Sequence, residues 1–119
     1  MITITIDIVV DGSNFIGTAK CEYIDHYGKK LTSIMPHVFK NINESYTEDL
    51  CELCLLVMVL QNIIPGHRKN ITIFVHHQLI ISIVNKIIKP TGIYKNFGNK
   101  LLKILTNCDS FIIKRLEKV

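Results

Sequence analysis

Four places in this 119-residue chain carry side chains that could do chemistry. Asp11 stands in Asp11-Gly12-Ser13-Asn14, where Gly tolerates positive φ and Asp and Ser bond their own backbone, so a carboxylate is presented where the chain turns. Such a group can hold a metal or accept a proton; the alternative is ordinary turn chemistry, because Asp-Gly turns are common. Glu52 lies among Leu50, Cys51, Leu53 and Cys54. A carboxylate in so apolar a segment must be paired, hydrated or bound to a metal. His76-His77 offers two imidazoles, either metal ligands or a partly exposed pair at a strand end. Cys51 and Cys54 have C-x-x-C spacing, but no second close pair completes a tetrahedral zinc site, so they read as reduced core cysteines.

Charge is distributed unevenly. The formal net charge is only +4, yet the segment from His67 to Lys103 contains no acid and carries Arg68, Lys69, Lys86, Lys89, Lys95, Lys100 and Lys103. A one-sided basic half is how a phosphate-binding surface shows itself in sequence; a solvated face on a cationic protein is the other reading.

The elements that must position these groups follow from periodicity. Ile2, Ile4, Ile6, Ile8 and Val10 alternate with Thr3, Thr5 and Asp7, the period of a strand, and Val9 suggests burial on both sides near its end. A central strand is expected. Phe15 to Ile24 alternates in the same way, His26 to Lys29 closes a hairpin, and Lys30 to Phe39 returns as a third strand that Pro36 places at an edge or a bulge. Asn41 to Tyr46 reads as a polar loop, and Thr47 caps a helix with acids in its first turn, running to about Asn62. Leu50, Leu53, Val57 and Leu60 make one stripe, but Leu55, Leu56 and Val59 make most of the remaining surface apolar too, so this helix should be buried on more than one side. Pro65 to Arg68 breaks the chain; Ile71 to Val75 is a fourth strand, Leu79 to Ile88 a helix, Phe97 to Leu105 another, and Ser110 to Leu116 a fifth strand. Strand, helix, strand is a crossover, so the fourth strand should lie parallel to the first.

With 48% hydrophobic and 20% charged residues, the chain has the composition of a globular protein, and 1–119 is expected to be a single domain. Its longest apolar run, Leu53 to Ile64, is too short to cross a bilayer and is interrupted by Gln61 and Asn62. A soluble, intracellular protein of a reducing compartment, without a membrane partner, is the expectation.

Taken together, the order of elements and the residues at their ends resemble the ribonuclease H (RNase H) family. Asp11-Gly12-Ser13 is similar to the family's Asp-Gly-Ser after the first strand, and Thr47-Glu48-Asp49-Leu50-Cys51-Glu52-Leu53 to its Thr-Asn-Asn-x-Ala-Glu-Leu at the start of the central helix. Ile71 to Leu79 is similar to the fourth strand, where the family writes Thr-Asp-Ser-Gln. The resemblance implies an RNase H-like α/β fold: a five-stranded mixed sheet, three antiparallel strands then parallel ones, with a buried central helix and flanking helices. It also implies two divalent ions, Mg²⁺ or Mn²⁺, about 3.5–4 Å apart on shared carboxylates. Carried over by residue, Asp11 is the first acid, Glu52 the second, and His76 stands at the third. The fourth belongs to a helix after strand five that this chain is too short to possess, and Asp109 is not a match. Asp11 and Glu52 are expected to face each other across the end of strand one.

Three functional readings follow. The first is a divergent, catalytically degenerate RNase H-like domain, without a metal cofactor, that binds RNA/DNA hybrid, duplex or a nucleic-acid-processing partner through its basic residues. The second is an active metal-dependent ribonuclease using Asp11, Glu52 and His76 on RNA/DNA hybrid; imidazole there suits Zn²⁺ or Mn²⁺ better than Mg²⁺. The third is a protein-interaction module with an idle site.

Overall fold

The computed structural model describes residues 2–25, 27–40, 47–63 and 70–117. Strand β1 (Ile2–Asp11) pairs antiparallel with β2 (Asn14–Ile24), which pairs antiparallel with β3 (Lys30–Phe39). Helix α1 (Glu48–Asn62) leads to β4 (Asn70–Val75), parallel to β1, and α2 (Gln78–Val84) follows. A single 3-10 turn (Gly92–Tyr94) opens α3 (Lys95–Thr106), and β5 (Ser110–Arg115) joins the far edge parallel to β4. The sheet order is β3-β2-β1-β4-β5, so β1 is central and β3, with Pro36, is an edge. His26 in the hairpin and the polar loop 41–46 lie outside the described residues.

The alternation of β1 sorts its side chains. Ile4, Ile6 and Ile8 enter the core together with Ile71, Ile73 and Val75 of β4, and Ala19 of β2. Leu53, Leu55, Leu56, Val57 and Leu60 of α1 close over them and are essentially sealed from solvent. The helix can lie this close because Gly17 on β2 has no side chain: a Cβ there would sit 2.7 Å from Leu55 Cδ2. Ile80 and Ile83 of α2 and Leu101 and Leu105 of α3 extend the same core, so the helices share one face of the sheet. The other face stays open, with Val9 55%, Ile34 63% and Ile112 55% exposed.

Two expectations are corrected. Val9 is not buried: pairing between β1 and β4 ends at Thr5 and Phe74, so β1 from Ile6 to Asp11 runs on with β2 as its one paired neighbour among the described residues. Helix α2 stops at Val84, not Ile88. Lys86 takes a left-handed φ of +59°, the Ile87 amide donates to the Ser82 carbonyl and the Lys86 amide to that of Ile83. That is a Schellman stop, usually built on Gly, and it leaves Ile87 70% exposed. Its sequence signal was hidden because Lys occupies the glycine position.

Candidate functional site

Parallel pairing of β1 and β4 brings the ends of two strands and the first turns of α1 to one corner. Thr47 caps α1, its hydroxyl accepting the Leu50 amide, and Thr47 and the Tyr94 hydroxyl both bond Asp49, which ties the 3-10 turn to the helix start. Glu52 sits one turn inside this cap and is fully buried. Its Oε1 accepts the backbone N–H of His76 at 2.9 Å and of His77 at 3.1 Å. His77 Nδ1 lies 3.3 Å from the same oxygen, without the alignment of a hydrogen bond, and His77 Nε2 is 3.9 Å from Glu48 Oε1. Glu52 Oε2 is sealed off and meets no donor among the described residues.

His76 is held from two sides. Its Nδ1 is 2.9 Å from the Leu116 carbonyl, and its Nε2 is 3.4 Å from Asp7 Oδ1. The end of β5 and the residue after it are stitched to the same place: Arg115 Nε donates to the His76 carbonyl at 3.2 Å, and the Leu116 amide donates to the Val75 carbonyl at 2.7 Å. Asp7, Glu48, His76 and Glu117 line an open cleft of ≈ 610 Å³.

The structure therefore brings Glu52 and His76 together and leaves Asp11 out. Asp11 is exposed, pairs with Asn14 at the hairpin end, and lies four residues beyond Asp7, roughly 13 Å along the strand. In place of the expected Asp11, the β1 acid at this corner is Asp7, which contacts the His76 ring, while Glu52 accepts the His76 amide. The physical reason is strand length: β1 continues four residues past the level of His76 before it turns, so the Asp-Gly-Ser motif marks the turn and not the corner. Position parity is the same for 7 and 11, and Asp7 was visible in the sequence as the acid flanked by Ile6 and Ile8. What sequence could not supply was the β1–β4 register. Glu48 was visible only as an acid in the first turn of α1, and Arg115 and Glu117 gave no signal of their own.

The donor set does not fit a pair of Mg²⁺ ions sharing carboxylates. Among the described residues no three His, Cys, Asp or Glu groups converge closely enough to hold an ion. The third position is an imidazole, one oxygen of Glu52 is taken by two amides, and the other is closed to the hydrated ion that Mg²⁺ remains when bound. The cysteines add nothing: Cys51 is buried, its thiol pushed up to about 11 chiefly by that burial, and Cys54 is also raised by burial.

A second surface lies on α3. Gly92, Lys95, Asn96, Asn99, Lys100 and Lys103 line a groove of ≈ 550 Å³. Lys86 and Lys89 are exposed on the segment leading to it. Arg68 and Lys69 lie outside the described residues.

No family model matches the sequence, and comparison with curated proteins finds no match. Solved structures do match. RNase H1 from the halophilic archaeon Halobacterium salinarum NRC-1 superposes with a TM-score of 0.71 at 12% identity, covering 98% of this chain and 86% of that one. The N-terminal RNase H domain of Rv2228c from Mycobacterium tuberculosis, solved as a fusion with maltose-binding protein, gives 0.77 at 11%, covering 98% and 82%. The fold is that of RNase H. LC11-RNase H1, solved in complex with an RNA/DNA hybrid, gives 0.70 at 15%, covering 99% and 86%. The five-stranded mixed sheet and the helices of this chain thus have the RNase H arrangement, while its corner carries Asp7, Glu52 and His76.

Proposed function

We propose that this chain is a nucleic-acid-binding domain with the RNase H fold and a catalytically degenerate acid corner, which engages RNA/DNA hybrid or duplex through phosphate contacts. The observation that carries this reading is the groove on α3, where Lys95, Lys100 and Lys103 converge with the amides of Asn96 and Asn99. Lys86 and Lys89 extend the positive surface, and no acid occurs from His67 to Lys103 to oppose it. Lysines on a helix present point charges to phosphates, which gives affinity without sequence readout. Hybrid is the natural probe because LC11-RNase H1, of the same fold, is bound to one.

The test is fluorescence anisotropy on a short RNA/DNA hybrid across a salt series. Five neutralised phosphates predict a slope of log K against log salt of about −4.5. Replacing Lys86, Lys89, Lys95 and Lys100 by Glu should abolish binding while the far-UV spectrum stays unchanged. The metal-dependent ribonuclease remains the second reading, favoured by Asp7 and His76 lining an open cleft with Glu52 bonded to the His76 amide behind them. Hybrid cleavage in Mn²⁺ that disappears in Asp7→Asn would promote it over the degenerate one. Neither binding nor cleavage at low salt would leave a protein-interaction module as the best account.

A further inference from the structure

The alternation that turns Ile4, Ile6 and Ile8 toward the helices turns Thr5, Asp7 and Val9 to the other face of the sheet. Strand register sets these residues in cross-strand rows. Val9 lies beside Ile16 and Ile16 beside Val38; Asp7 lies beside Thr18 and Thr18 beside Pro36; Thr5 lies beside Lys20 and Lys20 beside Ile34. Val9, Ile16, Val38, Pro36 and Ile34 thus make one continuous apolar patch, in which Val38 is 43% exposed and Val9 and Ile34 more so. The same face runs on through Phe74 of β4 and Ile112 of β5. Apolar residues exposed singly are ordinary on a protein surface; a contiguous set marks a contact.

Charge, edge chemistry and size together say what fits this face. Its charges are few and mostly answered within the chain: Glu22 is bound by Lys20 at 3.2 Å and by Lys30, Asp7 lies against His76, and Lys114 stands apart on β5. The uncharged patch selects neither a phosphate backbone nor a partner of either sign. It can be laid on a copy of itself without opposing like charges, as a two-fold contact requires. Addition of a strand at the β3 edge is disfavoured, because Pro36 has no amide to donate to it. The face has the area of an interface. Ten-residue strands β1 to β3 with six-residue β4 and β5 span a planar area of roughly 650 Å² before side-chain relief is counted, close to the ~800 Å² that each partner gives to a standard interface. The chain exposes 7354 Å², against roughly 6600 Å² for a folded monomer of 13.6 kDa. That surplus is again about one subunit's share.

We infer that the open sheet face, centred on Val9, Ile16, Ile34 and Val38, is the contact surface for a second copy of this chain, packed sheet on sheet about a two-fold axis. Aligned sheets interdigitate their side chains across about 10 Å, which suits branched residues such as these. The helices then lie on the two outer faces of the dimer, so the groove on α3 stays open in each copy. Val9 also lines the cleft beside Asp7, which places the second copy at the rim of the acid corner. The inference goes beyond the nucleic-acid reading and does not depend on it.

The experiment is sedimentation equilibrium of the full chain between about 1 and 200 µM, in roughly 0.15 M and 1 M NaCl. The mass should rise with concentration to twice 13.6 kDa and hold in high salt, since an apolar contact is not screened. Ile34→Lys with Val38→Lys in one chain sets cations face to face and should weaken association by roughly a hundredfold or more, with the far-UV spectrum unchanged. Ile87→Lys, at an exposed isoleucine beyond α2 on the helix side, should dimerise like the parent. If the double lysine variant does not fold, Val9→Thr with Ile34→Thr keeps strand-forming side chains and should weaken association by roughly tenfold. A parent that stays monomeric throughout overturns the inference, whether or not it sediments with phosphatidylcholine vesicles. So does a dimer that dissociates in 1 M NaCl, that survives the face variants unweakened, or that Ile87→Lys disrupts equally. Hybrid binding enters none of these readouts, so failure here and failure of the lysine face are separate results.

Discussion

The acid corner and the lysine face are held in place in opposite ways. At the corner, Glu52 has no solvent exposure and two backbone amides on one oxygen, and the His76 side chain is 12% exposed with both ring nitrogens engaged. On α3, Lys95, Lys100 and Lys103 are exposed, and the helix is fixed by residues on its other side, Leu101 and Leu105. A corner built of buried polar groups depends on atomic geometry, and removing one partner strands the other. A lysine face depends on charge and tolerates side-chain motion, so its loss should show in binding and hardly at all in stability.

This contrast can be tested at several levels of energy. Leu60, at the far end of α1, is completely buried, and Leu60→Ala should lower unfolding stability by about 2–5 kcal/mol in a denaturant titration. A loss under about half a kcal/mol would mean that α1, which carries Glu52, is not anchored in the core. Glu52→Ala leaves the amides of His76 and His77 without their acceptor and should cost about 1–3 kcal/mol; a neutral result would show the corner to be as loosely held as the lysines. Replacing Lys95, Lys100 and Lys103 by Glu should move stability by no more than about 0.5 kcal/mol while hybrid affinity collapses. A stability loss as large as that of Glu52→Ala would erase the distinction. The smallest effect is a gain: Lys86→Gly relieves the left-handed φ of +59° and should raise stability by up to about 1 kcal/mol, seen as a small upward shift of the denaturant midpoint.

Much of the fold was legible because its elements announce themselves locally. Alternation in β1 to β3, the Thr47 cap and the apolar girth of α1 predict strands and a buried helix within a residue or two of those observed. Pro36 correctly marks an edge. The end of α2 was not legible, since a Schellman stop on Lys86 looks like continued helix to any reading based on apolar spacing. At the site, Glu52 was readable as an acid in apolar company, and the burial that made it conspicuous is what the structure shows.

Asp11 and Asp7 mark the boundary between what each level decides. The sequence by itself determined that β1 presents acids on one face at positions 7 and 11, that α1 carries Glu52 inward, and that β4 ends in two histidines, because strand and helix periods are local properties of the chain. Only the tertiary structure decided which acid meets them. Register between parallel strands separated by about 60 residues is set by how Ile4 and Ile6 seat beside Ile71 and Ile73 under α1, and that packing stops the pairing at Thr5 and sets Asp7 beside His76. The same packing draws the Leu116 carbonyl onto His76 Nδ1, a contact across 40 positions that no local pattern encodes.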